Sequence, residues 1–208
     1  MDVLEVYERD YDAKKPVVCL DEKSKQLLED ARASMRTKPG QVRKRDYEYV
    51  RHGTVNCFVA VEPKGKRRTV MVRRKKKKRD FAMVINHLLA YPYKDVEKLI
   101  LVTDNLNTHN ETALTETFGE EKGRQLYNRI EWHYTPKHGS WLDMAEIEIG
   151  ILSRQCLKKP IATIQRMRHE VACWVKERNN QRKGINWKFT REKACEKFQL
   201  DKTGILRE

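Results

Sequence analysis

Three short stretches of this chain carry acids where acids could act together. Leu99-Ile100-Leu101-Val102 is an apolar run that ends abruptly in Thr103-Asp104-Asn105. That is the pattern of a buried strand delivering a carboxylate to its carboxyl end, and ligand crevices in open α/β sheets lie just outside such ends. Pro16-Val17-Val18-Cys19-Leu20 reads the same way and is closed by Asp21 and Glu22. The third stretch, Trp141 to Glu146, is helix-like. If the two strands are neighbours, Asp21 and Asp104 face each other. Two close carboxylates repel unless a proton or a cation lies between them. Mg²⁺ takes one or two carboxylates and completes its octahedron with water and phosphate. A third carboxylate permits two metals and in-line attack on a phosphodiester.

Helical geometry selects the third acid. Ser140 to Asp143 has capping-box spacing, which predicts Asp143 in the first turn of a helix running to about Leu157. Glu146 lies one turn further on nearly the same face. Glu148 is rotated by about 200° from Glu146, so the two cannot reach one metal pair. Leu142, Ala145, Ile149, Leu152 and Cys156 form the expected buried stripe, Glu146 borders it, and Glu148 reads as a surface charge. Any one of these acids is equally readable as a turn residue or helix cap.

The elements that must position these residues follow from periodicity. Residues 1–15 read as the tail of a helix (Val3, Leu4, Val6, Tyr7) entering a charged linker, with a domain over 16–208. Strands are expected at 17–20, 54–61, 68–73, 99–103 and about 130–134, with a hairpin turn at Pro63-Lys64-Gly65-Lys66. Residues 23–51 read as a long, partly irregular connection. Asp80 is expected to cap a helix with Phe81, Val84, Ile85, Leu88 and Leu89 on its apolar face. Helices are expected at 111–118 and 120–128. Pro160 suits the first turn of a long helix, and Thr190 caps a last short one. The order β–β–β–α–β–α–β–α defines an α/β chain with extra helices at its end.

Composition narrows the partners. The 208 residues carry 44 Lys and Arg against 30 Asp and Glu, a net charge of +14. Such an excess favours a polyanion, most often nucleic acid. Arg73, Arg74, Lys75, Lys76, Lys77, Lys78 and Arg79 form seven consecutive cations, expected to be exposed and mobile, and Arg43-Lys44-Arg45 is a second basic run. Either is a solvated surface or a phosphate contact. Lys137 and His138 lie in the loop before the third acid. No apolar run approaches the ~18 residues of a membrane span. The first twenty residues lack a signal-peptide core. Five cysteines without CxxC spacing read as reduced, mostly buried thiols in a cytosolic protein.

VVCLDEKSK (17–25), LVTDNLNTH (101–109) and HYTPKHGSWLDMAEIEIGILSRQCL (133–157), in this order, resemble the catalytic region of bacterial insertion-sequence transposases of the Tc/mariner superfamily, and most of all the insertion-sequence family numbered 630. The C-terminal NWKFTREKA segment extends the resemblance over nearly the whole chain. It implies an RNase H-like fold with a mixed five-stranded sheet, and a metal triad of Asp21, Asp104 and Glu146 binding two Mg²⁺ or Mn²⁺ ions. It further implies cleavage and strand transfer of DNA at TA targets, a homodimer or higher oligomer on DNA, and a bacterial cytoplasmic, nucleoid-associated setting. Asn105 and His109 match positions after the second acid and are expected to support it, though as a turn residue and a core histidine they need no such role. Two departures stand out. Asp143 occupies a position where family members usually carry asparagine, and it either perturbs the metals or merely caps the helix. The helix-turn-helix region that recognises element ends is missing, and is expected on a separate polypeptide if at all. A non-catalytic DNA-binding remnant and a general RNase H-like nuclease are the competing readings.

Overall fold

In the computed structural model, residues 1–32, 40, 48–106 and 108–199 are described. Arg43, Lys44 and Arg45 lie outside the described residues. Five strands form one sheet: β1 (Val17–Asp30), β2 (Tyr49–Glu62), β3 (Arg67–Arg73), β4 (Leu99–Thr103) and β5 (Ile130–Tyr134). The spatial order is β3-β2-β1-β4-β5. The first three strands form an antiparallel meander, and β4 and β5 add in parallel beside β1. The parallel pairs are linked through helices, as such crossovers require.

Alternation along the strands decides which residues face which layer. Val18, Leu20, Leu99 and Leu101 point to one face, where they pack with Phe81, Ile85, Leu88 and Leu114. Those side chains come from α2 (Lys78–Ala90) and α3 (Glu111–Phe118), with Leu126 of α4 (Glu120–Asn128) beside them. Cys19, Ile100 and Val102 point the other way, toward α1 (Asp2–Glu8), Leu142, Met144 and Ala145. On that same side Cys57, Val59 and Val72 meet α5 (Ala145–Gln155) and α6 (Ile164–Asn180). A final helix, α7 (Arg191–Phe198), is capped by Thr190, whose Oγ1 accepts from the Lys193 N–H at 3.3 Å.

Several expectations need correction. Strand β1 does not stop at Leu20 but continues to Asp30, because β2 pairs with it as far as Tyr49. The segment expected to be irregular therefore contains half of a long hairpin. Helix α2 begins at Lys78, and Asp80 acts from its third residue by accepting the Lys77 N–H at 3.2 Å. Helix α6 starts at Ile164 rather than at Pro160, since Thr163 caps it by accepting the Arg166 N–H. Residues 2–8 are anchored: Val3, Leu4, Val6 and Tyr7 are all buried against the sheet. Tyr7 donates to the Leu142 carbonyl at 2.8 Å.

The outer edge of β3 is occupied. Asn179 of α6 accepts the Arg68 N–H at 2.8 Å and donates to the Arg68 carbonyl at 2.9 Å. Arg168, nearly a helix length away, donates to the Val72 carbonyl at 3.4 Å.

Candidate active site

The parallel register pairs Leu20 with Thr103, so Asp21 and Asp104 fall one position beyond as neighbours. Parity with Cys19 points Asp21 toward the layer that holds α5, while Asp104 lies just past the end of β4, where strand parity no longer sets its direction. Asp21 is thus not a strand-end residue but sits within β1, while Asp104 begins the loop after β4. Glu146 is the second residue of α5 and is exposed. Burial, together with the charges of Glu146, Glu22 and Asp104, pushes the Asp21 carboxyl up to about 6, although its Oδ1 accepts the Glu22 N–H at 2.6 Å. The three acids therefore share one electrostatic neighbourhood.

The helix carrying Glu146 does not start at Ser140. Residues Ser140–Leu142 form a single 3₁₀ turn, and α5 begins at Ala145. Asp143 stands between them, 2% exposed, and its Oδ1 accepts the Ala145 N–H at 2.8 Å. It caps α5 from outside rather than lying in its first turn. Burial raises its carboxyl well above the usual range, and Asp21, Asp104 and Glu146 add to the effect.

Glu22 and Thr103 have the opposite parity and point to the α2 layer, where they meet His109. His109 Nε2 is 2.9 Å from Glu22 Oε1, and Nδ1 is 2.7 Å from Asp104 Oδ1 and 3.1 Å from Thr103 Oγ1. The ring stacks on Phe81 with centroids 4.2 Å apart. Burial alone would lower its pKa, but hydrogen bonds to Asp104 and Glu22 outweigh it and raise it to about 9. At neutral pH a protonated imidazole thus links Glu22 of β1 to the start of the loop after β4. Sequence pattern does not mark Glu22 or Phe81 as partners of His109; the available signal for Glu22 is its parity with the inward-facing Leu20. Asn105 is exposed on the loop.

Glu148 reverses its expected role. Its side chain is fully buried between Arg68 of β3 and Arg178 of α6. The position lies in the stripe with Ala145, Ile149 and Leu152, so spacing and not residue type decides its burial.

The basic run is anchored by ion pairs near its ends. Arg73 pairs with Asp80 at 3.1 Å and Lys78 with Glu116 at 2.9 Å, which fixes both ends. Arg74 to Lys77 remain exposed. Lys76, Lys77, Lys78 and Arg79 line a groove shared with Thr108 and Thr117, so it reaches the loop that carries His109. Lys137 and His138 are exposed in the turn before the 3₁₀ segment, and His138 adopts a left-handed φ of 64°.

Among the described residues, no three His, Cys, Asp or Glu side chains converge tightly enough to enclose an ion unaided. The donor chemistry nonetheless suits a hard divalent cation. All three acids offer oxygen. Burial is the main cause of the raised Asp21 carboxyl, and a cation would offset the smaller part that comes from Glu146, Glu22 and Asp104. None of the five cysteines is in a disulfide. No described helix is long and apolar enough to cross a membrane.

A mixed five-stranded sheet with helices on both faces is the RNase H-like architecture. The family model of the DDE superfamily endonucleases matches residues 16–168, and the chain belongs to that family. The fold is similar to the solved structure of the Mos1 mariner paired end complex with Mn, at 14% identity and a TM-score of 0.54, over 86% of this chain and 54% of that one. The Mos1 strand transfer complex gives 15% identity and a TM-score of 0.53, over 84% and 50%. The Mos1 transposase paired-end complex with left transposon end gives 15% and 0.53, over 84% and 51%. The chain spans about half the length of these proteins. A search of curated proteins returned no significant match.

Proposed function

We propose that this chain cleaves and joins DNA strands by divalent-metal-dependent phosphodiester chemistry, with Asp21, Asp104 and Glu146 as the metal-holding acids. The observation that carries the reading is that Asp21 and Asp104 each follow the paired residues Leu20 and Thr103 at one end of the sheet, and that Asp104 and Glu146 both act on the Asp21 carboxyl. Two Mg²⁺ or Mn²⁺ ions, when bound, would activate the attacking oxygen and stabilise the leaving one. Asp21 serves there as its carboxylate, the form that prevails above about pH 6. Protonated His109 donates to Glu22 and lies in ion-pair contact with the Asp104 carboxylate, holding the second acid in place and offsetting part of the site's negative charge. Asn105 borders this loop. Arg74 to Arg79, Lys137 and His138 hold phosphates, and Arg43, Lys44 and Arg45 are assigned the same task by charge alone.

The finer reading is an insertion-sequence transposase of the family numbered 630, acting at TA targets as a dimer or larger assembly in the bacterial cytoplasm. A helix-turn-helix region outside these residues, on this or a separate polypeptide, would supply recognition of the ends. The paired-end and strand-transfer names of the similar structures support DNA ends as substrate. The test is nicking of inverted-repeat DNA ends in Mn²⁺. Asp21→Asn, Asp104→Asn and Glu146→Gln should each abolish cleavage and leave DNA binding nearly intact. Full activity in any one removes that residue from the triad.

A second reading is a DNA-binding remnant without catalysis, since among the described residues no three such side chains form a ready ion site. Absence of cleavage in Mn²⁺, even with a helix-turn-helix partner added, would establish it. Preference for an RNA–DNA hybrid over a DNA end would instead identify a general nuclease.

A further inference from the structure

Glu146 and Glu148 share a helix but face opposite ways, about 200° apart at 100° per residue. Glu148 lies three residues after Ala145 and four before Leu152, within the buried stripe of α5. Its Oε1 accepts Arg178 Nε at 2.9 Å and lies 3.1 Å from Arg68 Nε. Its Oε2 accepts Arg68 Nη2 at 3.2 Å and Arg178 Nη2 at 3.4 Å. Neither cation is free to follow a turning helix. Arg68 lies in a strand with its backbone gripped by Asn179, and Arg178 is the residue before Asn179.

An apolar side chain at position 148 would tolerate small rotations, because hydrophobic contact is non-directional. A guanidinium fork from Arg178 and a further hydrogen bond from Arg68 on one carboxylate do not tolerate them, since charge-assisted hydrogen bonds have demanding geometry. Buried ionic clusters are weak contributors to stability, and their best-attested use is to fix register. A slip of α5 by one residue would swing Glu146 through about 100° and move it by about 1.5 Å along the axis.

We propose that Glu148 is the positioning residue for Glu146. Its cluster with Arg68 and Arg178 sets the rotation of α5, and through it the direction in which the Glu146 carboxylate meets Asp21 and Asp104. The proposal rests on the reading of Glu146 as a metal-holding acid.

Two variants test it, with Mn²⁺ binding followed by calorimetry and folding by thermal melting. Glu148→Asp keeps the charge but shortens its reach. The combined Arg68→Met, Glu148→Leu, Arg178→Met variant replaces the cluster with apolar packing. Each is expected to bind Mn²⁺ about tenfold more weakly, the size of effect seen when groups supporting metal ligands are altered. The apolar variant should do so while melting near the parent. Adding Glu146→Gln to either should cause little further loss. Mn²⁺ binding at parental strength in either folded variant, with Glu146→Gln alone weakening it, would overturn the positioning role. Should the apolar variant not fold, Glu148→Asp decides alone. Unchanged binding in Glu146→Gln alone would instead remove the metal reading of Glu146, and the positioning role with it.

Discussion

Replacing Asp21 by Asn should make the protein more stable and at the same time deprive it of metal binding. The Asp21 carboxyl is raised from an ordinary 3.8 to about 6, first by burial and then by its acidic neighbours. Ionising it in the folded state is therefore harder than in the unfolded chain. The penalty is absent below about pH 4, where both states hold the proton. It grows between about pH 4 and 6 and is complete above about 6. At about 1.4 kcal/mol for each tenfold, the ceiling is about 3 kcal/mol. Asp21 is partly exposed, so solvent screening reduces this to about 1–2 kcal/mol. Asn retains an oxygen to accept the Glu22 N–H and carries no charge. In EDTA at about pH 7.5, Asp21→Asn should melt about 2–8 °C above the parent. At about pH 4 the two should nearly coincide. Saturating Mn²⁺ should reverse the order, because only the parent gains from bound ligand. A variant less stable than the parent in EDTA at neutral pH, or an advantage that does not change with pH, would refute the reasoning.

Three further outcomes are expected. His109 has its pKa raised to about 9, so its ion pairs contribute stability fully below about 6.5 and lose it as pH rises through 9. The parent's melting temperature should fall more steeply from about pH 7 to 10 than that of His109→Gln, and parallel curves would contradict this. Replacing Lys75, Lys76 and Lys77 together by Gln should weaken binding to all DNA sequences alike. It should also flatten the salt dependence by about 0.9 in log–log slope for each phosphate no longer neutralised; an unchanged slope would place DNA elsewhere. Tyr7→Phe leaves the buried Leu142 carbonyl without its donor and should cost about 1–3 kcal/mol in urea unfolding. A loss below a few tenths would mean that water replaces the hydroxyl.

Much of this architecture is legible from local pattern. The stripe Phe81, Val84, Ile85, Leu88 and Leu89 defines α2, and Gly119 divides α3 from α4 at the expected residue. The order of the acids and the strands that carry Asp21 and Asp104 are likewise readable. What escapes is whatever depends on a distant partner. Strand β1 continues through Lys23 and Lys25 because β2 pairs with it, and no property of residues 23–30 alone announces this. Residue type makes Glu148 a surface charge, although its spacing places it in the buried stripe. Arg68 has the same parity as Val70 and Val72, and two charges of opposite sign at inward-facing positions are the available clue. The anchoring of α1 through Tyr7 depends on Leu142, 135 residues away, and has no local signature.

The grip of α6 on β3 has a consequence for how copies of this protein can meet. An open sheet edge is a template on which another chain can add a strand, and such addition leads to aggregation. Along β3 the outward N–H and carbonyl of Arg68 and the carbonyl of Val72 are already taken by Asn179 and Arg168. A helix thus stands where a neighbouring strand would have to dock. Molecules of so basic a chain, gathered at high local density along one polyanion, have their mutual repulsion neutralised and would otherwise be prone to edge-to-edge sticking. With this edge covered, addition of a strand on the β3 side of the sheet is disfavoured.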